Sequence, residues 1–215
     1  LYIGQQDGGT WDFNGMIDET AIFNRPLTEP EILDLYNSWN PSEIKEGPYY
    51  YDGDGDGYTN GTTQDTCIDP GDDRYLASEL GGINSNWLVW YWNFDDGSST
   101  DNSGNWNNGT DVSMSYTSGI RWLAADFSAN QARIEIANEA NFDFTDQFSV
   151  SFWMKRDGFD VNWETMIGKW DSSWTVSRDG WSVWAALTLF NPSATTVWTV
   201  DSVEDNQWHH VVAVY

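Results

Sequence analysis

The sequence predicts an all-β fold: an antiparallel β-sandwich of jelly-roll type, with one short helix and an Asp/Gly-rich linker. Three features predict it. From Trp87 onward nine short apolar or alternating runs recur, separated by Asn, Asp, Ser and Gly clusters. Helical periodicity is confined to one stretch near residue 30. Aromatic residues make up 16 % of the chain, 15 of them Trp, which is ample material for a sandwich core.

The elements follow in order. Leu1-Tyr2-Ile3-Gly4 reads as a short strand before a Gly/Asp/Asn loop. Residues 15–23 alternate with period two, which sets Met16, Asp18, Thr20 and Ile22 opposite Ile17, Glu19, Ala21 and Phe23. Thr28-Glu29-Pro30-Glu31 is a Thr-x-x-Glu capping box with Pro in the first turn, and it starts a helix that ends near Asn37. Residues 40–79 lose apolar content and gain Gly, Asp, Pro and Thr, with ten acids against two bases, the composition of a linker. Strands are then expected at 87–94, 122–128, 132–136, 147–156, 164–170, 174–178, 181–190, 194–200 and 207–215. In the best of them Phe148, Val150, Phe152 and Met154 share one face.

Charge narrows the partners. Thirty-four Asp and Glu against nine Lys and Arg give −25. A field of that sign repels phosphate backbones and anionic lipid, so neither nucleic acid nor a membrane is expected as partner. It favours bound cations or plain solubility. No run is long enough for a transmembrane helix. The single cysteine, Cys67, has no partner within the chain. The chain opens without Met or a basic leader and stops inside the alternation Val211–Tyr215, so the expectation is a piece of a longer, secreted or cell-surface protein.

The sharpest local motif is Asp52-Gly53-Asp54-Gly55-Asp56-Gly57-Tyr58. Carboxylates at positions 1, 3 and 5, Gly at 6 and a backbone carbonyl from Tyr58 at 7 suit calcium, a hard cation that takes oxygen ligands. Position 12 of an EF-hand loop needs an acid and holds Thr63, with Asp65 two residues on. With Asp69, Asp72, Asp73 and Cys67 following, the stretch resembles the Asp-rich calcium repeats of thrombospondin type 3 linkers. An acidic linker without metal is the competing reading.

Residues 87–215 resemble the first three quarters of a laminin-G-like, concanavalin A-like jelly-roll module. The residues that carry the likeness are Trp90–Gly97, Asp101–Thr110, Phe148–Lys155, Ile167–Asp171 and Asn206–Tyr215. Residues 1–39 resemble the closing part of the same kind of module, in Leu1–Gly4, Phe13–Thr28, Glu31-Ile32 and Leu35-Tyr36. In the family this closing part follows the Trp-His-His-Val strand, whereas here it precedes it. The organisation expected is therefore the end of one module (1–39), a calcium-type linker (40–86) and the body of a second (87–215), with 1–39 docking on 87–215 as a circularly permuted closure.

The resemblance further implies a structural calcium between the Asp-x-Ser-Gly-Asn loop and the Ile-Asp-Glu strand. Its ligands would be Asp101, oxygens near Asn105 and Asn107, and Asp18 or Glu19; simple turn capping by Asp101 and Asn105 is the alternative. Trp153, Trp170 and Trp208 fall at core strand positions. Trp106, Trp163, Trp174, Trp181 and Trp184 lie near loops or strand ends, where aromatics stack on sugar rings. His209 and His210 are adjacent in a strand and face apart, so they do not form a metal pair. The fold also hosts glucanases, but their Glu-x-Asp-x-x-Glu run is absent and no catalytic residues are assigned. Glu135 and Glu139 only flank a turn. The expected function is non-catalytic binding of glycan or extracellular protein, with no ligand-binding residue fixed. An architectural spacer, or an accessory module of a polysaccharide hydrolase, is the alternative.

Overall fold

The computed structural model describes residues 1–5, 11–39, 83, 85–144, 146–156, 163–169, 173–178, 185–189, 195–199 and 202–215. Asp52, Asp54, Asp56, Tyr58, Asp65 and Cys67, together with Trp170, Trp181 and Trp184, lie outside these residues.

Among the described residues thirteen strands make two sheets, and every pairing is antiparallel. The strands are β1 (Tyr2–Ile3), β2 (Met16–Phe23), β3 (Leu88–Trp92), β4 (Thr110–Val112), β5 (Ser115–Ser118), β6 (Leu123–Asp126), β7 (Arg133–Glu135), β8 (Ser149–Lys155), β9 (Thr165–Lys169), β10 (Trp174–Arg178), β11 (Ala185–Leu189), β12 (Thr195–Trp198) and β13 (Trp208–Val214). One sheet runs β12-β11-β10-β9-β1-β7-β4, the other β13-β8-β2-β6-β5, with β3 also on β2. No helix among the described residues is long and apolar enough to cross a membrane.

The N-terminal segment sits inside both sheets. β1 lies between β9 and β7, pairing Ile3 with Ile167 and Ile134. β2 runs along β8 on one edge; its other edge is shared by β6 at Met16–Ile17 and by β3 from Thr20 to Phe23. Ladders therefore join 1–39 to 87–215 in the middle of each sheet.

The register of β2 departs from strict alternation. Between Asp18 and Ala21 the β2–β8 pairing shifts by one residue, and Glu19 has φ 48°. One extra residue is thereby inserted, a β-bulge. This is why Ile17 and Ile22, which strict alternation would set on opposite faces, both reach the core between the sheets. Ile3, Trp90, Trp92, Phe148, Val150, Phe152, Met154, Trp174 and Val211 share that core. On the outer face a smaller cluster of Ala21, Phe23, Leu27, Leu35, Trp39, Tyr91 and Trp153 is covered by helix α1 (Glu29–Trp39).

The start of α1 is fixed as its sequence dictates. The Glu31 carboxylate accepts from the Thr28 backbone N–H at 2.9 Å, closing the box, and takes a two-point contact from Arg25 at 2.8 and 2.5 Å. The Arg25 hydrogen bond is the main reason the Glu31 carboxyl is lowered to about 2. β4 and β5 are strands that alternation does not show. Thr-Asp-Val and Ser-Tyr-Thr-Ser are edge strands with largely solvated side chains, so they have no apolar face to display.

Candidate functional site

Residues 97–109 form a loop whose centre is Asp101. Asp101 Oδ1 accepts the backbone N–H groups of Ser103 at 2.9 Å and Tyr91 at 3.3 Å, and Oδ2 accepts that of Asn107 at 2.9 Å. The Asp101 N–H in turn donates to Asn108 Oδ1 at 2.8 Å. Asn105 Nδ2 donates to the carbonyls of Leu88 (2.9 Å) and Val89 (3.2 Å), tying the loop to the start of β3. Asn107 is buried; its carbonyl accepts the Trp90 indole N–H at 2.9 Å and its Oδ1 accepts Asn141 Nδ2 at 2.8 Å.

Asp18 and Glu19 make a second group, at the bulge of β2. Both are buried. Asp18 Oδ2 accepts the Ile120 N–H at 2.8 Å and Oδ1 the Glu19 N–H at 2.9 Å, while Tyr91 donates its hydroxyl to Glu19 Oε2. Burial, helped by the Asp95 charge, pushes the Asp18 carboxyl well above its usual range, against the two N–H donors. Strict alternation sets these acids on opposite faces. The bulge instead brings both to the outer side of the sheet, where Tyr91 and Ile120 pack. Of the five residues in the implied calcium set, Asp101, Asn105 and Asn107 are thus gathered in one loop, and Asp18 with Glu19 at another place. Tyr91 joins the two groups, through its backbone N–H at Asp101 and its hydroxyl at Glu19. Among the described residues no group of three or more His, Cys, Asp or Glu side chains is disposed to hold a metal ion.

The aromatic residues divide clearly. Trp153 is buried and Trp208 packs partly buried on the outer cluster. Trp174 was expected near a strand end, among possible sugar-stacking residues. It is a core residue instead, because its indole N–H reaches the Phe142 carbonyl at 3.2 Å and its ring lies against Phe144 and Phe148. Trp163 is exposed, at φ 63°. Trp106 is 81 % exposed, at φ 60°. A left-handed conformation costs a side-chain-bearing residue about 1–2 kcal/mol that glycine is spared. Two exposed Trp residues carry a guanidinium over the ring: Trp87 has Arg25 at 6.0 Å and Trp122 has Arg121 at 5.1 Å. A mainly apolar cleft of about 130 Å³ opens between β12 and β13, lined by Val176, Leu187, Val197, Trp198, Val211 and Val214.

The adjacent histidines go separate ways. His209 Nε2 meets Asp205 Oδ1 at 2.7 Å on the surface. His210 bonds to Ser151 Oγ at 2.8 Å and sits among Trp153, Trp39 and Tyr36, with ring centroids 5.2, 5.7 and 6.0 Å away. Burial lowers it from 6.5 to about 4. The unfolded chain then binds the extra proton first. The neutral ring's contribution is complete above pH 6.5 and is lost as pH falls towards 4. Because the imidazole keeps a partly exposed rim, the expected loss is about 2 kcal/mol rather than the full shift. Urea unfolding at pH 7 and pH 4.5, compared with His210→Gln, reads it: the variant should lack this part of the acid sensitivity. An identical slope in both proteins would assign it elsewhere.

Two antiparallel sheets packed face to face, with β2 between β8 and β6, define a concanavalin A-like jelly-roll β-sandwich. Residues 128–215 match the family model Laminin_G_3, described as the concanavalin A-like lectin/glucanases superfamily. Over that stretch the chain is similar to a laminin-G-like, concanavalin A-like module. No curated protein and no solved structure matches it. This superfamily places the module among carbohydrate- or protein-binding domains.

Proposed function

We propose that this chain is a non-catalytic, extracellular recognition module that binds glycan or protein and is stabilised by calcium held in its linker. The observation that carries the binding part is the contrast between committed carboxylates and exposed indoles. Asp101 faces N–H donors, Glu135 pairs with Arg133, Glu164 with Arg156, and the Lys169 ammonium lies near Glu139 and Asp143. Trp87, Trp106, Trp122 and Trp163 meanwhile reach solvent from outside the strands. Such a surface suits stacking and adhesion better than general acid–base work, which needs two carboxyls facing a common space. Extracellular placement rests on the type of module and on the calcium-type motif. Neighbouring modules of the same chain would be its structural partners, with 1–39 closing the body that follows it. A glycan array probed with and without chelator tests the reading. Binding supports it, and silence in both conditions favours an architectural spacer.

The calcium is placed at Asp52, Asp54, Asp56, the Tyr58 carbonyl and Asp65, on the alternation of oxygen ligands. A cation at Asp101 would compete with three backbone N–H groups for the same oxygens, so that loop is the weaker candidate. Calorimetric titration should give a calcium heat that Asp54→Asn together with Asp56→Asn abolishes and Asp101→Asn leaves. No heat from the unaltered chain removes calcium from the proposal.

A further inference from the structure

Trp106 is the most exposed large apolar side chain among the described residues, and it holds a backbone conformation that favours glycine. An indole in solvent adds nothing to packing, so the fold gains nothing from Trp at this position. The strain persists because the loop around it is over-determined: Asp101 gathers three N–H donors, Asn105 is tied to β3 and Asn107 is buried on either side of Trp106. A ring fixed outward on a rigid frame loses little entropy when a ligand stacks on it.

The chemistry beside the ring narrows the ligand. Asp101 is the single ionisable residue between 97 and 109, and it is buried. What the loop offers solvent is an indole with amides and hydroxyls, chiefly Asn105, Asn108 and Thr100. An apolar plate bordered by neutral donors and acceptors matches a pyranose ring, with its C–H face and equatorial hydroxyls. The net charge of −25 disfavours sulfated or uronic sugars.

We propose that Trp106 is a stacking platform for a neutral, hexose-based glycan. The proposal deepens the reading of the chain as a recognition module and depends on it. The full chain is titrated by calorimetry with the β-linked hexasaccharides of glucose, mannose and galactose, and with a sulfated hexasaccharide as control. At least one neutral sugar should bind and the sulfated one should not. Trp106→Gly should weaken binding about tenfold or more, the usual worth of one stacked ring, while Trp122→Ala leaves it unchanged. The melting temperature of Trp106→Gly should equal or exceed that of the parent, because glycine relieves the strain. A lower melting temperature would make the indole a structural residue and overturn the platform. Sugar binding that survives Trp106→Gly also overturns it, yet leaves the recognition module standing. If no neutral sugar binds, both the platform and the glycan reading fall, and a protein ligand remains for the module.

Discussion

A chain lacking residues 1–39 is expected to show no cooperative unfolding transition. β1 is the only link between β9 and β7, and β2 the only link from β8 to β6 and β3, in the sheet orders of the described residues. Removing both splits each sheet and opens new unpaired edges. The segment also supplies Leu1, Ile3, Phe13, Ile17 and Ile22 to the sandwich core, and Ala21, Phe23, Leu27, Leu35 and Trp39 to the outer cluster. At about 1.5–3 kcal/mol for each large side chain, the loss is on the order of 20 kcal/mol as an upper bound. A whole domain is stable by only about 5–15 kcal/mol. Near-UV circular dichroism and urea unfolding of 83–215 test this, and a peptide of residues 1–39 added in trans should restore the signal. A cooperative transition in 83–215 alone would show that the strands of the N-terminal segment are accessory. In the full chain Ile22→Asp, which puts a charge between the sheets, should cost about 3–5 kcal/mol.

How much of this was legible follows from what each residue must satisfy. Phe148, Val150, Phe152 and Met154 alternate and all face the sandwich core, because β8 is central and lies between β13 and β2. The box Thr28–Glu31 also declares itself, since its partners are three residues apart. Strict period-two reading fails at Asp18–Glu19, where a bulge adds one residue and no local pattern marks it. It fails again at β4 and β5, whose edge positions remove any need for an apolar face. Trp174 and Trp106 both lie at or beside strand ends in sequence, yet one is buried and the other almost free in water. Only the long-range partners separate them: Phe142, Phe144 and Phe148 for the first, the Asp101 frame for the second. The Asp101 loop is visible as an Asp/Asn/Gly cluster. Its choice of N–H donors over other partners depends on Tyr91 and Asn107, which sequence spacing does not rank.

Glu164→Gln is expected to destabilise the chain by about 3 kcal/mol, the usual cost of leaving a buried charge without its partner. Glu164 and Arg156 are both buried and meet at two points, with Arg156 Nη2 donating to Glu164 Oε1 at 2.7 Å. Around them Glu204 lies 3.7 Å from Arg156 and 4.0 Å from Arg178, and the Arg156 guanidinium stands 5.9 Å over the Phe13 ring. Burial raises Glu204 and lowers Arg178, so these neighbours are themselves poorly solvated and compensate the lost charge only in part. The Asn14 N–H points to Glu164 Oε2 at 3.5 Å, so the pair also pins the segment leading into β2. Nothing in the spacing of residues 156, 164, 178 and 204 announces this group; it is assembled by the ends of β8 and β10, the start of β9 and the turn before β13. For a chain of this size, thermal unfolding should show a fall of about 6–12 °C. Arg156→Met with Glu164→Leu, which removes both charges and keeps volume, should be less destabilised than Glu164→Gln alone. The Arg25–Glu31 pair, partly solvated, is the comparison: breaking it should cost about 1 kcal/mol or less, and less still in high salt. The loss at Glu164 should not change with salt, because ions do not reach it. Equal, salt-sensitive losses at the two sites would mean that water enters the Arg156–Glu164 pair and that it behaves as a surface contact.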